Sequence, residues 1–287
     1  MATERIERTA QLRERVWAAK RRGLRVGCVP TMGALHAAHT AMFDRARAAC
    51  DLLVATIFVN PLQFDRQDDL RSYPRDIQAD LIVCDRHGVD LAFAPAAAEM
   101  YPRPPVITAQ IEGLADGLCG ASRPGHFCGV ATVVLKLLNC VQPDIAYFGE
   151  KDYQQLVIVR RLVEDACLPV EIASVETVRE PDGLALSSRN VLLSRAEREA
   201  APAMFGALQR AQEAVQSGQR EAERVVALAR QVLERQPLLR LDYLEVVDLD
   251  TLEPVRRIDG PVRIAIAAFA GSTRLIDNIH AAPLKAR

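Results

Sequence analysis

LRVGCVPTMGALHAAH, residues 24–39, reads as a strand, a turn and the start of a helix. Residues 24–29 form a short apolar run suited to a buried strand. Pro30 and Gly33 supply the turn, and a helical period follows over residues 36–50, with Leu35, His39, Met42, Phe43 and Ala46 on related faces. The same alternation extends outward. Upstream, residues 4–22 read as a helix closed by Gly23. Downstream, residues 52–59 are a continuous Val- and Ile-rich strand ended by Asn60-Pro61. Residues 77–86, 130–141 and 154–167 read as helices, and 89–93, 144–148 and 170–178 as extended segments. Short apolar strands separated by helices of this length predict an α/β fold with a parallel sheet covered on both faces. Ligands of such sheets sit beyond the carboxyl ends of the strands.

The last third changes character. Residues 195–235 are rich in Ala, Arg, Glu and Gln and read as two helices broken near Ser217-Gly218. Strand-like runs follow at 241–247 and 262–269, which together suggest a smaller α+β domain. The boundary is expected near 180–190 and is taken as a first domain of 1–183 and a second of 184–287.

Four strand-end segments carry polar chemistry. In the first, VPTMGALHAAH, His36 and His39 lie on one face of a first helical turn, where unpaired backbone N–H groups and the helix dipole favour an anion. Imidazoles donating there could stabilise charge moving onto leaving pyrophosphate. Taken alone, an H-x-x-H is more often an ordinary pair of surface or core histidines. Zinc is a weaker reading, since Ala37-Ala38 separates the pair and no third ligand is near. In the second, IFVNPLQF, the neutral amides of Asn60 and Gln63 suit a hydroxy acid whose carboxylate must stay nucleophilic; a turn Asn and a surface Gln are equally good readings. The third, YFGEKDYQQL, places Gly149, Lys151 and Asp152 in a loop before Gln154 and Gln155, with Lys151 a point charge for phosphate. The fourth, REPDGLALSSRN, offers Ser187, Ser188 and Arg189 as a phosphate clamp after an Asp182-Gly183 turn. Either loop could also be an ordinary solvated connection. Neither G-x-x-x-x-G-K-[ST] nor G-x-G-x-x-G is present to explain the set.

The charges nearly cancel, with 36 Lys and Arg against 37 Asp and Glu, which gives no support to nucleic acid or an anionic membrane as the main partner. Apolar stretches are strand-sized, too short to span a bilayer. Seven scattered cysteines without a C-x-x-C pair, and a charged N-terminus lacking an apolar core, lead us to expect reduced thiols and a cytoplasmic location.

Taken together, PTMGALHAAH, FVNPLQF, YPRD (73–76), SRPGHFCGV (122–130), VQPDIAYFGEKDYQQL, DGLALSSRN and RLIDN (274–278) resemble the pantoate–β-alanine ligases, or pantothenate synthetases, of the nucleotidyltransferase superfamily with a HIGH-type motif. The resemblance covers nearly the whole chain. It implies a Rossmann-like N-terminal domain, a small C-terminal lid domain and a homodimer. The implied reaction is ATP-dependent ligation of pantoate and β-alanine through pantoyl adenylate, releasing pyrophosphate and AMP and making pantothenate for coenzyme A synthesis. His39, His36 and Lys151 would be catalytic. Met32, Gly33, His36, His39, Gly149, Lys151, Asp152, Val178, Leu186, Ser187, Ser188 and Arg189 would bind ATP. Gln63 and Gln155 would bind pantoate, with Gln63 also at β-alanine. Mg²⁺ is expected with ATP, and Asp80 is a weak candidate for its protein ligand. The sequence departs from the family pattern at Ala38, where H-x-G-H is usual, and at Cys128, where relatives can carry Arg. Ala38 is expected to tighten clearance without loss of function. On the two histidines alone, a transferase adenylylating a phosphorylated metabolite and a nucleotide-sensing module without turnover are alternatives; Gln63 and Gln155 argue against the sensor.

Overall fold

A computed structural model describes residues 2–64, 70–71 and 73–284. The chain forms two compact units: Met1–Glu112, Arg123–Glu150 and Ile158–Glu176 make the first, and Gly113–Ser122, Lys151–Val157 and Thr177–Arg287 the second.

The first unit is built on a parallel sheet in the order β1-β4-β3-β2-β5-β6. Its strands are β1 (Glu4–Ile6), β2 (Val26–Thr31), β3 (Leu52–Ile57), β4 (Leu91–Phe93), β5 (Ile145–Gly149) and β6 (Glu171–Val175). The helices beside them are α1 (Thr9–Arg21), α2 (Ala37–Arg47), α3 (Ile77–Arg86), α4 (His126–Val141) and α5 (Tyr153–Asp165), whose first turn belongs to the second unit. The expected α/β parallel sheet is therefore present. Its central strands are apolar on both faces, since Cys28, Val29, Leu53, Val54 and Ala55 are all fully buried. Burial pushes the thiols of Cys28 and Cys84 up, Cys84 to about 12, and all seven cysteines are free.

Two details differ from the sequence reading. Residues 4–6 are a strand, not the start of the helix. Ile6 is fully buried, and Glu4, Arg5 and Ile6 pair with Leu91, Ala92 and Phe93 at the sheet edge. A three-residue strand is too short to show a period, so Glu4 and Arg5 read as a helical surface. Pro30 does not end β2 but lies within it, paired with Thr56 on β3. On the other side β5 pairs only with Gly27 and Cys28, so no ladder bond is asked of the missing Pro30 N–H. The sole tryptophan, Trp17, lies half-exposed on α1, its indole N–H donating to Gln142 Oε1 at 2.7 Å.

The second unit has a three-stranded antiparallel sheet, β7 (Leu239–Val247), β8 (Val262–Ala270) and β9 (Thr273–Ala281), in that order. Helices α6 (Ala203–Gln216) and α7 (Ala222–Leu233) are separated by Gly218 at φ 101°, and they share a core with the sheet around Met204, Leu208, Val225, Ile258, Ile264 and Ile266. The expected helix break at Ser217-Gly218 is therefore where the structure places it. A short extra helix, Arg195–Ala200, begins with a Ser194–Glu197 capping box. β9 was not anticipated, because buried Asp277 and Asn278 interrupt its apolar pattern. Among the described residues no helix is long and apolar enough to cross a membrane.

Candidate active site

In the first unit, the turn after β2 is shaped by two side chains, Thr31 and Asp80. Thr31 Oγ1 donates to Thr56 O (2.8 Å) and accepts from Gly33 N (3.1 Å). Gly33 (φ 81°) and Ala34 (φ 51°) are successive left-handed residues, and a Cβ on Gly33 would sit 2.7 Å from Asp80 Oδ2. The nearly buried Asp80 carboxylate accepts the Ala34 N–H (3.1 Å) and the Leu35 N–H (2.8 Å). Burial pushes the Asp80 pKa up, and those two backbone donors oppose the shift. Asp80 thus fixes the backbone that delivers His36.

His36 is the N-cap of α2. Its Nδ1 accepts from Ala38 N (3.3 Å), while His36 N donates to His39 Nδ1 (3.2 Å). The ring centroids are 4.2 Å apart. A neutral imidazole that accepts at Nδ1 carries its proton on Nε2, so both rings are oriented as Nε2–H donors at the positive end of a helix. Ala38 lies within α2, and its N–H is the group that holds His36.

The amides in the next loop divide into frame and candidate ligand. Asn60 is fully buried. Its Oδ1 accepts from Leu62 N and Tyr101 O–H, and its Nδ2 donates to Gln63 Oε1 and Gly129 O. That arrangement makes Asn60 a strut for the Pro61–Gln63 turn. Burial lifts the Tyr101 phenol to about 12, keeping it a donor. The Gln63 amide N–H faces Met32 Sδ, and its backbone carbonyl accepts from His126 Nδ1 (2.7 Å) and Arg123 Nη2 (3.2 Å). Gly129 is required here, because a Cβ would collide with the Leu62 carbonyl and lie 2.8 Å from Gln63 N. The SRPGHFCGV motif contained Arg123, His126 and Gly129, but their target is a backbone carbonyl that no side-chain pattern announces. Cys128, half-buried on α4, contacts Gln110 Oε1 through its sulfur. Gly149 closes β5 in register with Val175.

In the second unit, Lys151 and Asp152 form a 3-10 turn that leads into α5. Gln154 is buried with its amide engaged by Cys119 N, Leu114 O and Gly117 O, whereas Gln155 is half-exposed. Residues 178–186 make a tight hairpin, with Leu186 N bonded to Val178 O, an Arg179–Ala185 bridge, and Gly183 (φ 93°) at its turn. Asp182 caps that turn through Leu184 N, and its Arg198 partner holds the Asp182 carboxyl below the usual range. Beyond the hairpin, Ser187 and Arg189 line a cavity with Lys151, Asn190, Arg274 and Asp277. Of its three cations Arg274 is paired with Asp242, which leaves Lys151 and Arg189 as the cations suited to an anionic ligand. Ser188 and Leu186 are neighbours in the chain but do not line it. Among the described residues no group of three or more His, Cys, Asp or Glu could hold a metal ion.

Comparison with known proteins gives the family. The pantoate-beta-alanine ligase family model matches residues 4–280. Pantothenate synthetase from Heliobacterium modesticaldum is 49% identical over 273 residues, 95% of this chain and 96% of the relative. The crystal structure of pantothenate synthetase from Thermus thermophilus superposes with a TM-score of 0.90 at 44% identity, covering 96% of this chain and 99% of that one. Pantoate-beta-alanine ligase from Francisella tularensis, solved in complex with beta-gamma ATP and beta-alanine, gives 0.80 at 32% identity, covering 97% of each chain. The chain described here belongs to the pantoate–β-alanine ligase family, and it is a ligase.

Proposed function

We propose that the protein condenses pantoate with β-alanine at the expense of ATP, through a pantoyl adenylate. The observation that carries this reading is the His36–His39 pair at the start of α2, each ring accepting at Nδ1 and so carrying its proton on Nε2. Support comes also from the Francisella relative, whose structure is a complex with beta-gamma ATP and beta-alanine.

Pantoate is ionised at neutral pH, so its carboxylate oxygen attacks the α-phosphorus without a general base. An O–P bond forms, the bond to the bridging oxygen breaks, and the electron pair leaves on pyrophosphate. Acceleration comes from positioning and from donors aimed at that developing charge. We assign His39 Nε2–H as principal donor, with His36 beside it. Lys151, Ser187, Ser188 and Arg189 take phosphate oxygens, and Met32, Gly33, Gly149, Asp152, Val178 and Leu186 complete the nucleotide contacts. Gln63 and Gln155 bind pantoate, and Gln63 also faces β-alanine. Neutral amides orient the acid without blunting it as an ion pair would. In the second step the uncharged amine of β-alanine attacks the acyl carbonyl and an amide bond forms. The C–O bond to AMP breaks with its electron pair leaving on the phosphate, and the nitrogen gives up one proton to solvent. The product, pantothenate, would feed coenzyme A synthesis. Asp80, the metal candidate, uses its oxygens on the Ala34–Leu35 backbone, so Mg²⁺ would arrive with ATP and would offset the charge of its phosphates. Cytoplasmic location and a homodimer belong to the same proposal, the latter open to analytical ultracentrifugation.

The test is pyrophosphate release from ATP and Mg²⁺ with and without pantoate, followed by β-alanine. Pantoate-dependent pyrophosphate and β-alanine-dependent AMP are expected. Release that ignores pantoate, or a stable adenylylated product, would overturn the reading.

A further inference from the structure

The RLIDN segment has no part in the reaction just described, yet two of its residues are the least expected in the second unit. Asp277 and Asn278 are adjacent at the middle of β9, opposite Ile266 and Ala265, and each is only 5% exposed. Polar groups buried in a strand are costly unless fully engaged, and an apolar pair would serve the sheet better.

Both are engaged, and their partners lead to the phosphate-type residues. Asn278 Nδ2 donates to the Lys151 carbonyl at 2.8 Å, across 127 positions of sequence. Its Oδ1 accepts from Arg263 Nη1 (3.0 Å), and the Arg263 guanidinium stacks 3.8 Å over the ring of Tyr153, two residues after Lys151. The turn that aims Lys151 is thereby tied to the sheet at its carbonyl and at the first residue of the following helix. Asp277 forms a bidentate pair with Arg179, at 2.6 and 3.0 Å. Arg179 also donates to Gly183 O and lies 3.8 Å over Phe205, so one guanidinium fastens the first strand of the 178–186 hairpin to its turn. Ser187 and Arg189 follow directly.

We infer that Asp277 and Asn278 are positioning residues for the nucleotide's phosphates: Asn278 sets Lys151, and Asp277, through Arg179, sets the segment carrying Ser187 and Arg189. The inference rests on the phosphate role proposed for those three residues. A purely structural role would lower stability without singling out ATP.

The test is a double-mutant cycle on the full-length enzyme. Asn278→Ala should raise the KM for ATP about tenfold while the KM for pantoate stays within about twofold, and it should add almost nothing in a Lys151→Ala background. Asp277→Asn should raise the KM for ATP similarly, with an effect that survives in Lys151→Ala and shrinks in Arg189→Ala. If Asn278→Ala fails to fold, Asn278→Ser supplies the same comparison. The Kd for ATP, measured calorimetrically, carries the cycle without turnover, so a wild-type enzyme that binds ATP but makes no pantothenate would sink only the proposed function. A fall in Tm with unchanged ATP constants, or an Asn278→Ala effect of full size in Lys151→Ala, overturns the inference.

Discussion

The two sets of polar residues are held in opposite ways. The histidine turn is made mostly by neighbours: Thr31 fixes Gly33, and His36 and His39 cap each other within one helical turn, with Asp80 as the distant brace. The Lys151 turn and the 178–189 segment depend on residues about a hundred positions away on β9. Local construction lets a short motif carry its own geometry. Distant construction makes the geometry a property of the folded unit, and a motif there names the ligand without its support.

The largest effects should come from removing one donor of each kind. His39→Ala and Lys151→Ala are each expected to slow pantoate-dependent pyrophosphate release by about 10²–10³-fold, or roughly 3–4 kcal/mol. A near-normal burst in one variant would break the pairing of the two sets in one reaction. Next comes Gly129→Ala, which pushes a methyl into the Leu62–Gln63 backbone. It should cost about 1–3 kcal/mol of stability, typical of overpacking, and raise the KM for pantoate more than that for ATP. Equal changes in both constants would show that Gln63 has no separate role.

Asp80→Asn probes the brace of the histidine turn. The amide can accept one backbone N–H but turns an NH₂ toward the other, at a cost of roughly 1–3 kcal/mol. Thermal unfolding should register the loss, and the KM for ATP should rise. An unchanged KM would mean that the histidines hold their turn unaided.

Sequence legibility followed the same division. The strand–turn–helix reading of residues 24–39 survived because its determinants are local, although Pro30 proved to be strand. Asn60, read as a candidate ligand amide, turned out to be a strut with its hydrogen bonds internal, and Gln154, which opens a helix, is another. Their neighbours Gln63 and Gln155 cannot be told apart from them by residue type. β1 and β9 escaped because pairing partners, not periodicity, define them. Arg123 and His126 were visible as letters of a motif, but their contact with the Gln63 carbonyl spans some sixty positions.

The smallest expected effect concerns acid. Arg198 lowers the Asp182 pKa in the folded protein, so this carboxylate binds its proton less readily folded than unfolded. Its stabilisation is present above its ordinary value near 3.8 and is lost as pH falls through the depressed one. The pair is partly exposed and solvent-screened, so it contributes well under ~1 kcal/mol. Asp182→Asn should leave stability at pH 7 almost unchanged and flatten the acid limb slightly. An acid limb identical to wild type would remove the pair from the account of the hairpin turn.

Trp17 gives the division between the units a spectroscopic meaning. One indole, half in water on α1 and hydrogen-bonded to Gln142, is the only tryptophan emitter in the protein. Its emission shift on denaturation therefore follows the first unit, while loss of the β9-centred unit could pass with little change in that signal. A Phe205→Trp variant would place a second indole beneath the Arg179 guanidinium. Two emission transitions at different denaturant concentrations would then give the units separate stabilities, and one shared transition would show that they unfold together.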